Sequence, residues 1–200
     1  MTACTISNNV SAGPGGGVWN RRLASLKIEN STVSGNRVYA GNGGGICNWG
    51  SLTMVNTTLS GNRAQSLENG ESGGQGGALF NLKTMKIDNC TIVANQSLKE
   101  GGGLYNLGTA TVRSTILAGN ASDNGIGSDC SGALISSGYN LIQNTNDFTL
   151  TGDLTTNILG QDPLLGPLQD NGGPTLTHAL LPGSPAIDQG SSGCQSRNCT

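Results

Sequence analysis

A block of the form Gly-Gly-(Gly/Ala)-apolar-X-Asn occurs four times, at Gly15–Asn20, Gly43–Asn48, Gly76–Asn81 and Gly101–Asn106. Recurrence at this interval marks a solenoid, in which each copy is one supersecondary unit that buries its apolar face only against the next. A second landmark Asn follows each block, at Asn36, Asn62, Asn95 and Asn120, at a constant distance in the last three copies. The first copy is longer there by two residues, Arg21 and Arg22. All other length variation falls between the second Asn and the next Gly block, in Arg37 to Asn42, Arg63 to Gln75 and Gln96 to Glu100.

Aligned in this way, apolar residues form columns. Val18, Ile46, Leu79 and Leu104 follow the glycines, then come Leu26, Leu52, Met85 and Ala110, and two residues on Ile28, Met54, Ile87 and Val112. A spacing of two is the strand period, one side chain in and the next out. A further column is Val33, Leu59, Ile92 and Leu117, preceded two residues earlier by the small set Ser31, Thr57, Cys90 and Thr115. No copy carries the run of about 10 residues at a 3.6 period that a helix needs. The expected fold is all-β: three short strands per coil, with coils about 4.8 Å apart making three parallel sheets around a continuous core, a parallel β-helix.

Asn tolerates the left-handed backbone of a corner, and stacked amides hydrogen-bond along a pile of like coils. Asn20, Asn48, Asn81 and Asn106, with Asn36, Asn62, Asn95 and Asn120, therefore read as corner residues in structural ladders rather than as ligands. The Gly blocks read as crowded corners. A phosphate cradle would need a following Lys-Ser/Thr and an opening helix, and neither is present.

With 10 Lys and Arg against 12 Asp and Glu, the net charge of -2 gives no basic footprint, so nucleic acid is not an expected partner. No apolar run approaches the length of a membrane span, and Met1 opens no leader of secretory type. Cys4 to Asn9 repeats the back half of a copy, Ser31 to Asn36. The chain is thus expected to open inside a coil, as a monomeric part of a longer polypeptide.

Among the six cysteines, Cys4 and Cys90 fall in the small inward column, and Cys47 stands in the column of Trp19, Phe80 and Tyr105. Cys194 and Cys199 are close enough to pair locally. With the composition, this points to an exported, disulfide-permissive location. Sequons at Asn30, Asn56 and Asn89 share one repeat position and read as a by-product of the repeat.

Beyond Asn120 the pattern decays, and five of the six prolines fall between Pro163 and Pro185. Proline cannot donate to a ladder, so a terminal region that covers the sheet edge is expected. Residues 1–144 are read as β-helix coils, the last one or two degenerate from Asn120 on. Residues 145–200 are read as degenerate coils and a Pro-rich C-terminal cap, with Asp162 to Gly190 as the cap itself.

The strings Gly138-Tyr139-Asn140-Leu141-Ile142, Asp162-Pro163-Leu164-Leu165-Gly166-Pro167-Leu168, Asp170-Asn171-Gly172-Gly173-Pro174-Thr175 and His178 to Asp188 resemble the choice-of-anchor Q domain of bacterial surface proteins. The preceding copies, Gly76 to Asn81 most clearly, resemble the repeats of polymorphic outer-membrane proteins. The resemblance implies a right-handed, pectate-lyase-like β-helix, secreted or held at the cell surface. It brings no catalytic residues with it.

Two function classes follow. One is a non-catalytic structural or adhesive module that binds a glycan or a surface protein. The alternative is a polysaccharide lyase or glycoside hydrolase, which needs clustered carboxylates on neighbouring coils. The outward column Glu29, Val55, Asp88, Arg113 separates its two acids and sets Asp88 beside Arg113, the expectation for an ion pair. Lys27 and Lys86 are likewise divided by Thr53. His178 lies in the tail signature without a Ser or Cys motif to serve. No cofactor is expected; Ca²⁺ is weighed only at Asp123 and Asp129, which flank a Gly-containing stretch but match no loop motif. Asp162, Asp170 and Asp188 read as turn residues. The candidate binding loop is the longest insertion, with Arg63, Gln65, Glu68, Asn69, Glu71 and Gln75.

Overall fold

The computed structural model describes residues 1–66 and 73–191. Within them every regular element is a strand, and three sheets of parallel strands carry the fold. A seven-stranded sheet runs Thr5–Ser7, Thr32–Ser34, Thr58–Ser60, Thr91–Val93, Ile116–Ala118, Leu141–Ile142, Ile158–Leu159. A five-stranded sheet joins Val10–Ser11, Arg37–Val38, Arg63–Ala64, Gln96–Ser97 and Ala121–Ser122. The largest sheet has ten strands. It contains both the strands that follow the Gly blocks, such as Ile46–Asn48, and the five-residue strands after them, such as Ser51–Val55.

The alignment of copies is the register of the sheets. Val18 pairs with Ile46, Ile46 with Leu79 and Leu79 with Leu104; Ile28, Met54, Ile87 and Val112 pair in turn. These columns, with Leu59, Ile92 and Leu117, form one buried cluster along the stack, against which Val18 packs partly buried. Ser31, Thr57, Cys90 and Thr115 are buried as expected.

A coil has four strand segments rather than three. The extra one is the two-residue strand at Arg37, Arg63, Gln96 and Ala121, the first three at the head of the segments that vary in length between copies. Its inward residues are Val38, Ala64, Ser97 and Ser122, all buried but two of them polar, so apolar counting passes over them. The first two segments bend at the landmark Asn: the Asn48 Nδ2 donates to the Gly50 carbonyl at 3.1 Å while the Gly50 amide donates to Asn48 Oδ1 at 3.2 Å. At Cys130–Ser137 the register places Gly132 where Asn106 stands, and the strand runs on unbroken for eight residues. Without a side chain to hold the turn, the bend is lost.

Both landmark columns are ladders. Asn20 donates to Asn48 at 2.7 Å, Asn48 to Asn81 at 2.6 Å and Asn81 to Asn106 at 2.7 Å. The second runs from Asn9 through Asn36, Asn62 and Asn95 to Asn120, each amide donating at 2.9 Å to the next Oδ1. The expectation of left-handed backbone at these Asn residues is corrected. Positive φ falls instead on the sequon column, Asn30, Asn56 and Asn89, and on Gly35, Gly61, Ala94 and Gly119 just ahead of the second landmark. A ladder Asn thus spends its side chain on the neighbouring coil, and the residue beside it takes the turn. The first glycine of each block has positive φ, and a Cβ on Gly43 would lie 2.2 Å from the Ile46 carbonyl oxygen, which is the crowded corner anticipated.

Parallel stacking continues past residue 144: Phe148–Asp153 pairs with Cys130–Ser137, and Ile158–Leu159 with Leu141–Ile142. The Pro-rich segment then forms an antiparallel pair, Leu165–Gln169 with Thr177–Leu180. Its bonds to the coils are lateral. Thr32 donates to the Leu176 carbonyl at 2.6 Å, Ser60 meets His178 at 2.9 Å, and Ser114 meets Ser191 at 3.4 Å. The tail therefore lies along the flank of the seven-stranded sheet, where an end cap was expected.

Candidate functional site

Of the candidate binding loop, Arg63, Gln65 and Gln75 are described, while Glu68, Asn69 and Glu71 lie outside the described residues. Arg63 is part of the five-stranded ladder, in register with Arg37 and Gln96, and so is not a free loop residue. Its guanidinium stands 3.8 Å from Asp123, and Asp123 also accepts from Gln96. The Gln65 amide donates to the Val38 carbonyl at 2.8 Å, while Gln65 Oε1 is buried without a hydrogen-bond partner among the described residues. Gln75 donates its amide to Asn42 Oδ1 at 3.1 Å. The insertion is closed at its base by an antiparallel bridge between Ser66 and Gly73.

In the outward acid column, Glu29, Val55, Asp88 and Arg113 stand in register as read. Arg113 grips Asp88 with two bonds, Nε to Oδ1 at 3.0 Å and Nη2 to Oδ2 at 2.9 Å; Glu29 pairs with Lys27 at 2.7 Å. The bidentate bond to Asp88 holds the Arg113 pKa above its ordinary value. Both acids are thus neutralised on their own coil or the next, an arrangement suited to register rather than to acid-base chemistry.

His178 is held from both sides. Its Nδ1 lies 2.7 Å from the Gly166 carbonyl, which can only accept, so Nδ1 carries the proton and Nε2 accepts from the Ser60 hydroxyl at 2.9 Å. A hydroxyl, an imidazole and an orienting carbonyl in line are the elements of nucleophile activation. Here Ser60 is only 6% exposed beneath the tail. The chain of bonds fastens the tail to the coil.

Asp123 and Asp129 serve different neighbours. Asp129 is 1% exposed and accepts from Asn120 Nδ2 at 2.8 Å and the Asn144 amide at 2.7 Å. Burial pushes its pKa up against these bonds. Among the described residues no three His, Cys, Asp or Glu side chains gather as a metal site. Asp162 and Asp170 accept from the amides of Leu164 and Gly172, as turn residues do.

Cys4, Cys47, Cys90 and Cys130 are free thiols, and burial raises the pKa values of Cys47 and Cys90 to about 12. Cys194 and Cys199 lie outside the described residues. Among those residues no helix is long and apolar enough to cross a membrane.

One surface escaped the sequence reading. The column Trp19, Cys47, Phe80, Tyr105 alternates with the inward positions, beside the corner residues Trp49, Leu82 and Leu107; Trp19 is exposed and Tyr105 half-buried, while Cys47 and Phe80 are covered. Trp19 and Trp49 meet edge to face with centroids 5.0 Å apart, and Phe80 stacks on Tyr105 at 5.6 Å. Leu107 is 59% exposed. The signal lay in the alignment, an aromatic at the same position in three of four copies. No family model, curated protein or solved structure matches the chain.

Proposed function

We propose that this chain is a non-catalytic module of an exported, surface-exposed right-handed β-helix, structural or adhesive in role, that binds a glycan or a protein partner through its outer faces. The observation that carries the reading is the disposition of its polar groups. Two amide ladders consume the landmark Asn residues, and the outward acid Asp88 is closed on Arg113 by two bonds. Chemistry is spent on holding coils in register, which leaves the outer surface for contact. The likeness of the tail strings to the choice-of-anchor Q domain supports the cell-surface location, and the lateral tail stands in place of an end cap.

The insertion that begins at Arg63 is the candidate binding edge. Arg63 and Ala64 belong to a sheet, so the excision that tests it removes only residues between Ser66 and Gly73. Loop shortening costs little entropy, so the excised protein folds and loses the part of its binding to surface glycan or protein that this edge supplies. Unchanged binding by the folded excised protein would move the site elsewhere. Pectin, polygalacturonate and alginate should remain uncut, with or without Ca²⁺. Turnover that disappears in Asp88→Asn would replace this reading with the polysaccharide lyase or hydrolase.

A further inference from the structure

The two residues by which the first copy exceeds the others, Arg21 and Arg22, are built into the corner. The Ala24 amide donates to the Arg21 carbonyl at 3.1 Å, and the Ser51 amide to the Ala24 carbonyl at 2.9 Å. The turn rests on Gly50, where a Cβ would lie 2.2 Å from the Ala24 carbonyl oxygen and 2.7 Å from that of Arg21. The Arg21 guanidinium is thereby set over Trp19, 5.1 Å from the ring centroid. Trp19 itself is 40% exposed. Beside it opens a cleft of 560 Å³ lined by Arg22, Leu23, Trp49 and Lys83, within the size range of small-ligand sites.

Charge sharpens the picture. Arg21, Arg22, Lys27, Lys83 and Lys86 sit on this corner and the strands leaving it, half of the ten Lys and Arg residues in a chain of net charge -2. Among the described residues the ion pairs go to Lys27, Arg63 and Arg113, and none to the other four.

We propose that this corner binds an acidic polysaccharide, its sugar rings lying on the tryptophans and its carboxylate or sulfate groups on Arg21, Arg22 and Lys83. The flat C–H face of a pyranose matches an exposed indole. Guanidinium groups match planar or tetrahedral oxyanions. An extended acidic peptide is the competing occupant, because Val18–Asn20 is an end strand of the ten-stranded sheet, and the polyglutamate arm of the test separates the two. The inference rests on the adhesive reading and gives it a second face and a ligand class.

Trp19 and Trp49 are the only two tryptophans, so intrinsic fluorescence reports on this corner alone. Titration with alginate and with dextran sulfate should give a saturable change that weakens with added salt, while neutral dextran and polyglutamate give none. A response to alginate alone assigns a carboxylate ligand, and a response to dextran sulfate alone a sulfate. The double substitution Arg21→Ala/Arg22→Ala, at two exposed positions, should weaken binding by about tenfold or more at an unchanged melting temperature, whereas excision between Ser66 and Gly73 should leave it intact. No fluorescence response, an equal response to polyglutamate, or unchanged affinity in the double variant would overturn the proposal. Cleavage of the alginate would instead count against the adhesive reading and leave the site standing.

Discussion

Asn120 ends its ladder on Asp129: the amide Nδ2 and the backbone N–H of Asn120 both donate to Asp129 Oδ1, at 2.8 Å and 3.1 Å. Asn36, Asn62 and Asn95 each accept from one coil and donate to the next. A carboxylate accepts and donates nothing, so the ladder closes there. The other oxygen, Oδ2, takes the Asn144 amide.

The stability of the fold should carry the signature of this terminus. Burial raises the Asp129 pKa above 3.8, so the folded state binds this proton more tightly than the unfolded chain does. The stabilisation is present in acid, below the unfolded pKa, and is lost as the pH rises through the folded one. Thermal melts should show wild type gaining on Asp129→Asn as the pH falls toward 3.8. A wild-type advantage that grows toward neutrality would contradict the assignment.

Mid-ladder and corner Asn residues should differ sharply. Asn62 gives amide bonds to Asn95 and to the Val33 carbonyl and accepts from Asn36. Asn62→Ala leaves these buried groups unpaired, at about 1–3 kcal/mol each, and should cost several kcal/mol in urea unfolding. Asn56 is exposed and shares one amide bond with Asn30. Its replacement by Ala should cost about 1 kcal/mol, chiefly for the left-handed backbone.

The strand register predicts another contrast. Ile87 is fully buried and its neighbour Lys86 exposed. Ile87→Asp places an unpaired charge in the shared core and should lower stability by more than about 4 kcal/mol; Lys86→Asp should change it by under about 1 kcal/mol. Similar melting temperatures for the two would show that the register is wrong.

Thiol chemistry checks the interior. With Cys47 and Cys90 pushed up to about 12, alkylation of the folded protein near neutral pH should reach the partly exposed Cys4 long before them. Peptide mapping after iodoacetamide treatment reads the order. Rapid labelling of Cys90 would place it outside the core.

The register was legible because apolar columns and landmark Asn residues repeat with little variation. Val18, Ile46, Leu79 and Leu104 can be aligned by eye, and so can Asp88 and Arg113. Where burial involves small or polar residues, the signal fades: Ser97 lies inside the five-stranded sheet, yet its strand falls in a segment read as variable, and Ser122 falls in one read as a degenerate coil. The left-handed positions were misassigned because Asn serves two purposes here, ladder at Asn62 and corner at Asn56, and residue type does not separate them. Proline density in the tail pointed to a segment covering the sheet edge, whereas the tail forms its own antiparallel pair and bonds to the coils from the side. That depended on Thr32, Ser60 and Ser114 offering hydroxyls on one flank.

The lateral tail changes how the protein would bear load. A stack joined only to its neighbours peels apart one coil at a time when pulled from an end. Here the Thr32 to Leu176 bond spans 144 residues of sequence, and His178 and Ser191 fasten the same segment to later coils. Tension entering near residue 191 is therefore delivered in shear across several coils at once, as on a tie rod, and resistance to detachment scales with the number of fastenings rather than with the strength of the last one.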